Sequence, residues 1–276
     1  MGSSKRRRTP VTGSSTKSRP SSTKTRSVIR EFHTLLKSRK KLEGQPGNDQ
    51  ALNVIDEQIS GLGGLDTYQR MSQQGQSADR GGGAEAVLID WLEDILKNDP
   101  LGEGQRLRLL EVGALKADNF QRCHSWIENT PIDLNAQAPG IRQQDFLQMS
   151  EEVDACKWDV LSLSLVLNFV PDPRERGRML RLAHSFLDAT CARSGLLFVT
   201  LPLSCVQNSR YFTLGHFESL MKCVGFEKIK ERWRPGGKMA YWLFRKVHLT
   251  GLDDLAHQRK SVLRSGRTRN NFAILL

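Results

Sequence analysis

Between residues 107 and 247 the sequence alternates short apolar runs with amphipathic segments, and this alternation constrains the fold most strongly. Apolar runs of strand length separated by helical patterns are typical of βα units that build a parallel sheet. The last two runs differ, because the tight link Arg234-Pro235-Gly236-Gly237 predicts an antiparallel hairpin. We therefore predict an α/β fold in which the sheet is largely parallel and ends in one antiparallel hairpin.

The predicted elements follow from the spacing of apolar residues. We expect strands at 107–112, 130–134, 141–147, 158–167, 195–201, 226–233 and 239–247. We expect helices at 84–98, 120–127, 174–187 and 214–224, after two earlier helices that begin near Ser27 and Asp49.

Positive charge is concentrated at the two ends of the chain. Residues 1–41 contain thirteen Lys or Arg and one acid, and residues 257–276 contain five and none. Residues 42–256 contain 23 Lys or Arg and 29 acids. A basic arm on a mildly acidic domain suits a polyanionic substrate. The run Lys5-Arg6-Arg7-Arg8 also matches a nuclear localisation pattern or a plain solvated tail.

Composition also predicts how the chain is divided. We expect a disordered basic tail at 1–26, a helical extension at 27–98, an α/β domain at 99–248 and a basic C-terminal segment at 249–276. No apolar run approaches the roughly 20 residues that span a membrane, and no signal peptide is expected. The cysteines and histidines are dispersed, so we expect neither a disulfide framework nor a metal site.

Gly113 and Asp133 define the candidate cofactor site. Gly113 ends the first predicted strand, and Asp133 lies at the end of the second. A glycine turn lets backbone approach a ligand, and a carboxylate on the next strand accepts hydrogen bonds from ribose hydroxyls. The loop after Gly113 lacks both G-x-G-x-x-G and G-K-[ST], which disfavours a dinucleotide or a P-loop nucleotide. The pattern favours S-adenosylmethionine, although a strand-end turn and an Asp cap explain each residue separately.

Further candidates follow the later strands, at the edge where open sheets bind ligands. Asp145 could accept from the adenine amino group while Phe146 packs against the ring; the alternative is a solvated loop acid. Asn168 and Phe169 could hydrogen-bond and stack on a base, and are the candidate catalytic residues. The candidate substrate contacts, which could equally belong to a surface loop, are Asn208, Arg210 and Tyr211.

Several of these segments resemble the fungal nucleolar large-subunit (25S) rRNA adenine-N(1)-methyltransferases. The resemblance rests on residues 110–115, 132–135, 144–146, 162–171, 201–211 and 269–276, and upstream on 63–65, Tyr68-Gln69 and 72–75. It covers roughly residue 27 to the C-terminus. The segments 162–171 and 269–276 are its most specific parts.

The resemblance implies a Rossmann-like class I methyltransferase sheet that uses S-adenosylmethionine to methylate N(1) of an rRNA adenine. Gly113 and Asp133 match the cofactor positions of the family. It also implies a nuclear, nucleolar protein that acts on large-subunit rRNA or the pre-ribosome. Two alternatives stay open: a non-catalytic S-adenosylmethionine sensor that binds a protein partner, and a methyltransferase for a protein or small molecule.

Overall fold

The computed structural model describes residues 22–43, 47–67, 83–248 and 254–276. Three sequence features lie outside these ranges: the basic run Lys5-Arg6-Arg7-Arg8, the pair Tyr68-Gln69 and residues 72–75.

The described residues form a seven-stranded sheet with helices on both faces. The strands are β1 (Leu107–Val112), β2 (Ile127–Asp133), β3 (Arg142–Gln143), β4 (Val160–Ser164), β5 (Leu196–Pro202), β6 (Phe226–Arg232) and β7 (Met239–Lys246). Their order is β3-β2-β1-β4-β5-β7-β6. The first five strands pair in parallel, and β7 runs antiparallel to both β5 and β6. The predicted α/β sheet with a terminal antiparallel hairpin is confirmed.

The helices begin and end at recognisable signals. They are α1 (Ser22–Leu42), α2 (Asp49–Gly61), α3 (Ala84–Leu96), α4 (Glu151–Asp154), α5 (Pro173–Phe186), α6 (Ser204–Gln207) and α7 (Leu214–Cys223). At the start of α5 the Asp172 carboxylate accepts from the Arg174 amide at 2.8 Å, and Pro173 occupies the first turn. Thr213 caps α7 in the same way, at 3.1 Å from the His216 amide.

Two predicted elements are wrong in part. The segment predicted as a helix at 120–127 is a single 3₁₀ turn, Gln121–Cys123, and β2 already begins at Ile127. The predicted strand at 141–147 pairs only over Arg142–Gln143, because the Asp145 carboxylate accepts from the Leu147 amide and starts another 3₁₀ turn. In both places local turn hydrogen bonds replace the longer element. Helix α1 also begins earlier than Ser27.

Helix α3 packs directly on one face of the sheet. Its buried stripe packs with β1, β2 and the N-terminal half of β5 in one apolar layer, where Trp91 meets Phe198 edge-on at 5.9 Å. The other face of the sheet is covered by α5 and α7. The helical extension predicted at 27–98 therefore divides: α3 is part of the α/β layer, while α1 and α2 chiefly contact each other.

The C-terminal segment, predicted as an appended basic stretch at 249–276, ends inside the core. Phe272, Ala273 and Ile274 are buried beside α5 and α7. Gly177 of α5 makes room for it, since a Cβ there would lie 1.8 Å from the Leu275 carbonyl oxygen. The apolar end of this segment is thus a structural part of the α/β domain.

Candidate functional site

The Gly113 turn connects β1 to the carboxyl edge of the sheet. Its φ of +76° is in the left-handed region that favours glycine, and a Cβ there would lie 2.8 Å from Val166 Cγ2. The amides of Gly113 and Ala114 both donate to the Ile132 carbonyl, at 2.8 and 3.0 Å. These bonds fix the turn against the end of β2 and bring bare backbone to the edge where a ligand would lie.

A small cavity, open to solvent, adjoins this turn. Its wall comes from the end of β1, the following loop, the end of β4 and the start of α3. The lining residues are Ala84, Glu85, Glu111, Val112, Gly113, Leu115, Asn119, Phe120, Ser162 and Ser164. The glycine predicted from the sequence is therefore at the cavity, together with two serines and two glutamates that were not predicted as site residues.

Glu111 is a buried acid in the wall of this cavity, 7% exposed. Its carboxylate accepts from Asn119 Nδ2 at 2.5 Å and from Asn129 Nδ2 at 2.8 Å. Burial raises the pKa of Glu111 to about 7, and these two amide donors oppose that rise. A cation in the cavity would favour the ionised carboxylate, so the site is suited to a positively charged ligand.

Asp133 is the last residue of β2 and Asp145 follows β3 at the same edge, beside the Gly113 turn and outside the cavity lining. Asp133 Oδ1 accepts from the Asn135 amide at 2.7 Å, and its carbonyl accepts from Gln144. Their alignment on successive strands agrees with the predicted arrangement, and their cofactor roles stay predictions. The idea that Phe146 packs on an adenine ring is wrong, since Phe146 is buried in the core against Phe186.

The loop after β4 packs against the Gly113 turn. Leu165 adopts φ +61°, a conformation that costs a non-glycine residue about 1–3 kcal/mol. The neighbouring Val166 supplies the methyl group that limits position 113 to glycine. Asn168 Oδ1 is buried and has no hydrogen-bond partner among the described residues. An unsatisfied acceptor of this kind costs about 1–3 kcal/mol, which a ligand donor would recover.

Phe169 does not present both ring faces to a ligand. Its ring is stacked with Phe32 of α1, with centroids 6.4 Å apart and planes 17° from parallel. Phe32 is 2% exposed. Stacking of Phe169 on a base therefore requires its other face or a movement of α1, which the sequence did not predict.

The structure gives Asn208 and Arg210 a structural role. Asn208 Nδ2 donates to the Thr268 carbonyl at 3.3 Å, and Arg210 donates to the Arg269 carbonyl and the Asn271 side chain at 2.9 and 2.6 Å. Both side chains hold the C-terminal segment, and their substrate contacts stay predictions. Tyr211 is half-buried beneath Lys260, whose Nζ lies 5.8 Å from the ring centre.

The sequence did not predict two kinds of residue at the candidate site. Glu111 had a sequence signal, because it is a charged residue in the otherwise apolar end of a strand and directly precedes Val112-Gly113. Phe32 and Glu85 had none, since only the packing of α1 and α3 brings them to the sheet edge.

The strand order, the terminal hairpin and the glycine turn define a Rossmann-like methyltransferase fold. The chain belongs to the family described as Bmt2, 25S rRNA (adenine(2142)-N(1))-methyltransferase, whose model matches residues 53–274. A Schizosaccharomyces pombe protein named 25S rRNA adenine-N(1) methyltransferase is 30% identical over 90% of this chain and 89% of its own. A Saccharomyces cerevisiae protein named 25S rRNA (adenine(2142)-N(1))-methyltransferase is 31% identical over 91% of this chain and 72% of its own.

Similarity to solved structures is weaker. A magnesium protoporphyrin IX methyltransferase from Synechocystis with bound S-adenosylmethionine covers 80% of this chain and 96% of its own, at 10% identity and a TM-score of 0.41. The site is therefore assigned from the family and from its own geometry.

In the described ranges, no group of three or more His, Cys, Asp or Glu could hold a metal ion. No helix described there is long and apolar enough to cross a membrane.

Proposed function

We propose that this chain transfers the methyl group of S-adenosylmethionine to N(1) of an adenine in large-subunit rRNA. The proposal rests on the Gly113 turn and its cavity at the carboxyl edge of the sheet, in a chain of the 25S rRNA adenine-N(1)-methyltransferase family. Ribosome biogenesis supplies the setting: the pre-ribosome is the partner and the nucleolus the location. The basic N-terminal residues support both.

The residues at the edge fit this cofactor. Bare backbone at Gly113 allows close approach, and the carboxylate of Asp133 would accept from the ribose hydroxyls. Asp145 would accept from the amino group of the cofactor adenine. Buried Glu111 suits the positive charge of the ligand. When bound, S-adenosylmethionine supplies an activated methyl group on a sulfonium.

Asn168 would orient the acceptor base. Its buried Oδ1 lacks a donor among the residues described, and an exocyclic amino group beside N(1) provides one. N(1) lies on the Watson–Crick edge, so the base must be unpaired or flipped to reach the site. Orientation by Asn168 would align the N(1) lone pair with the methyl carbon.

The transfer needs no general base. The lone pair of adenine N(1) is free at neutral pH and forms the new N–C bond as the S–C bond breaks. The positive charge moves from sulfur to the purine ring, and no proton has to leave. Alignment of the lone pair with the methyl carbon would therefore supply much of the rate.

The direct test is incubation with labelled cofactor and unmodified 25S rRNA, followed by mapping of the modified base. We expect label on N(1) of an adenine. Cofactor binding without label on adenine N(1) would contradict the proposal and favour the sensor alternative.

Site variants test the cofactor assignment by calorimetry. Gly113→Arg or Gly113→Ala should abolish S-adenosylmethionine binding, because any side chain there meets Val166. Gly104→Ala is the matched control: its φ is +71° and a Cβ meets nothing within 4 Å.

The carboxylate is tested separately. Asp133→Ala should abolish cofactor binding, while Asp133→Asn keeps an acceptor for the Asn135 amide and isolates the loss of charge. Binding by Asp133→Ala at wild-type affinity would refute the ribose contact.

A further inference from the structure

Three parts of the molecule that are distant in sequence meet beside the loop after β4. Helix α1 contacts the loop through the Phe32–Phe169 stack. Arg176 of α5 links the loop to the C-terminal segment. It donates from Nε to the Val170 carbonyl at 2.8 Å and from a second nitrogen to the Ala273 carbonyl at 2.5 Å. The loop next to the proposed acceptor site therefore lies between a basic helix and a basic segment.

Positive charges converge at this junction. Desolvation, and then the charges of Arg176 and Lys260, lower the pKa of Lys37 on α1. Lys37 is exposed on α1, five residues after the Phe32 that stacks on Phe169, and Lys260 is exposed with its Nζ 5.8 Å from the centre of the Tyr211 ring. Arg259 and Arg267 are exposed on the same C-terminal segment as Lys260. We call Lys37, Arg259, Lys260 and Arg267 the basic junction.

Among the described residues, no carboxylate pairs with the basic junction. Its four residues form no ion pair within the described ranges, in contrast to Arg39 and Lys40 of α1, which pair with Asp56 and Glu43.

The arginines beneath the junction are bound by neutral acceptors. Arg264 donates to the carbonyls of Val206, Gln207, Ser209 and Phe212, and Arg210 likewise has carbonyl and amide acceptors. Asp172, which lies within electrostatic range of buried Arg176, has its carboxylate engaged at the start of α5. The positive charge at this surface is thus left for an external anion.

We infer that the basic junction binds the phosphate backbone of the substrate RNA and that the RNA bridges α1 to the C-terminal segment. The inference rests on the proposed function for the identity of the polyanion. The half-buried ring of Tyr211 beneath Lys260 offers a surface for a base next to these phosphates. RNA bound here would run beside Asn168, where the target adenine has to enter.

The test compares two double variants that remove the same charge. Lys37→Gln/Lys260→Gln alters the junction. Lys97→Gln/Lys222→Gln is the control. Lys97 directly follows α3 and Lys222 lies near the end of α7; both are exposed, at the opposite edge of the sheet. Affinity for unmodified 25S rRNA is measured by filter binding over a range of salt concentrations.

We expect the junction variant to bind about tenfold more weakly near 0.15 M salt, and its log–log salt slope to fall by roughly 1.5. The control should stay within about twofold of wild type. In the methyl-transfer assay the junction variant should raise KM for RNA and leave kcat unchanged. S-adenosylmethionine affinity and the unfolding midpoint should not change in either variant.

The outcomes separate this inference from the proposed function. Equal RNA affinity and salt slope for the two variants would overturn the inference, even where wild type methylates adenine N(1). Weaker, less salt-dependent binding by the junction variant alone would support it, even where wild type transfers no methyl group.

Discussion

Helix α1 and the C-terminal segment 254–276 are both rich in lysine and arginine, yet they attach to the sheet in different ways. Among the side chains described in α1 and α2, only Phe32 is buried. The C-terminal segment buries a continuous run, Phe272 to Leu275, between α5 and α7. Composition is therefore a poor guide to attachment, which is decided by how many apolar side chains the segment can bury.

The C-terminal segment and α1 also differ in the polar contacts that hold them. The C-terminal segment is held by Arg176, Arg264 and Ser209, whose hydroxyl donates to the Phe272 carbonyl at 2.6 Å. Helix α1 pairs mainly with α2, through the exposed ion pair of Arg39 with Asp56. Exposed pairs of this kind contribute little, about 0–1 kcal/mol. We therefore expect the C-terminal segment to unfold with the core and α1 to dock and undock locally.

The largest effect should come from truncating equally buried phenylalanines in the two regions. Phe272→Ala should lower the free energy of unfolding by about 3–5 kcal/mol, because it empties a core site between Arg176 and Phe212. Phe32→Ala should lower it by about 1 kcal/mol or less, since α1 is outside the cooperative core. Urea unfolding followed by tryptophan fluorescence measures both values. Equal losses would show that α1 unfolds with the sheet.

A second comparison uses two helical glycines. Gly177→Ala should cost about 3 kcal/mol, because its Cβ would overlap the Leu275 carbonyl oxygen of the docked segment. Gly215→Ala in α7, where a Cβ meets nothing within 4 Å, should be neutral or stabilising by up to about 1 kcal/mol. Thermal or urea midpoints decide the matter. If Gly177→Ala behaved like its control, the C-terminal segment would not be fixed against α5.

Removal of residues 1–41 tests whether the basic N-terminal arm contributes to RNA binding. The truncated protein should bind 25S rRNA at least tenfold more weakly and with a smaller salt slope, because thirteen positive charges are lost. Cofactor binding should remain intact, since the Gly113 turn and its cavity are built by β1, β4 and α3. Filter binding and calorimetry measure the two quantities. Unchanged RNA affinity would refute a role for the arm.

The smallest expected effect concerns pH. His216 of α7 packs on His257 of the C-terminal segment, with their ring nitrogens 3.3 Å apart. Burial, and then His257, lower the pKa of His216 below its unfolded value. The unfolded state therefore binds more protons, so stability is present above about pH 6.5 and is lost as the pH falls below it.

This loss should be about 1 kcal/mol or less between pH 7 and 5.5. His216→Gln should remove this contribution and so reduce the loss of stability between pH 7 and 5.5, whereas the variant of the exposed His124, His124→Gln, should leave the pH profile of the urea midpoint unchanged. A wild-type profile retained in His216→Gln would exclude this histidine as its source.

Much of the sheet was predictable because its signals are local. Runs such as 107–112 and 195–201 are apolar enough to be buried strands, and the Pro-Gly-Gly link requires a hairpin. The errors occurred where an alternative local hydrogen bond competed, as at Asp145, whose side chain caps a 3₁₀ turn and ends the strand. Gly113 was predicted as a turn glycine that allows close approach of a ligand, and the structure adds a second reason for glycine there, its positive φ.

The rest depended on contacts between distant segments. Arg210 is polar and loop-borne in the sequence, and only the fold shows that its donors are directed at residues 269 and 271. Phe169 has the composition of a base-stacking residue, and only the fold places Phe32 against it.

The sequence by itself determined the α/β sheet, the glycine turn and the family, because these depend on periodicity, backbone geometry and short motifs. The tertiary structure decided which basic segment is part of the core, which arginines hold carbonyls and which cations stay exposed without an ion pair among the described residues. Such choices depend on burial and on the partner that each charge finds in space, and these are properties of the folded chain.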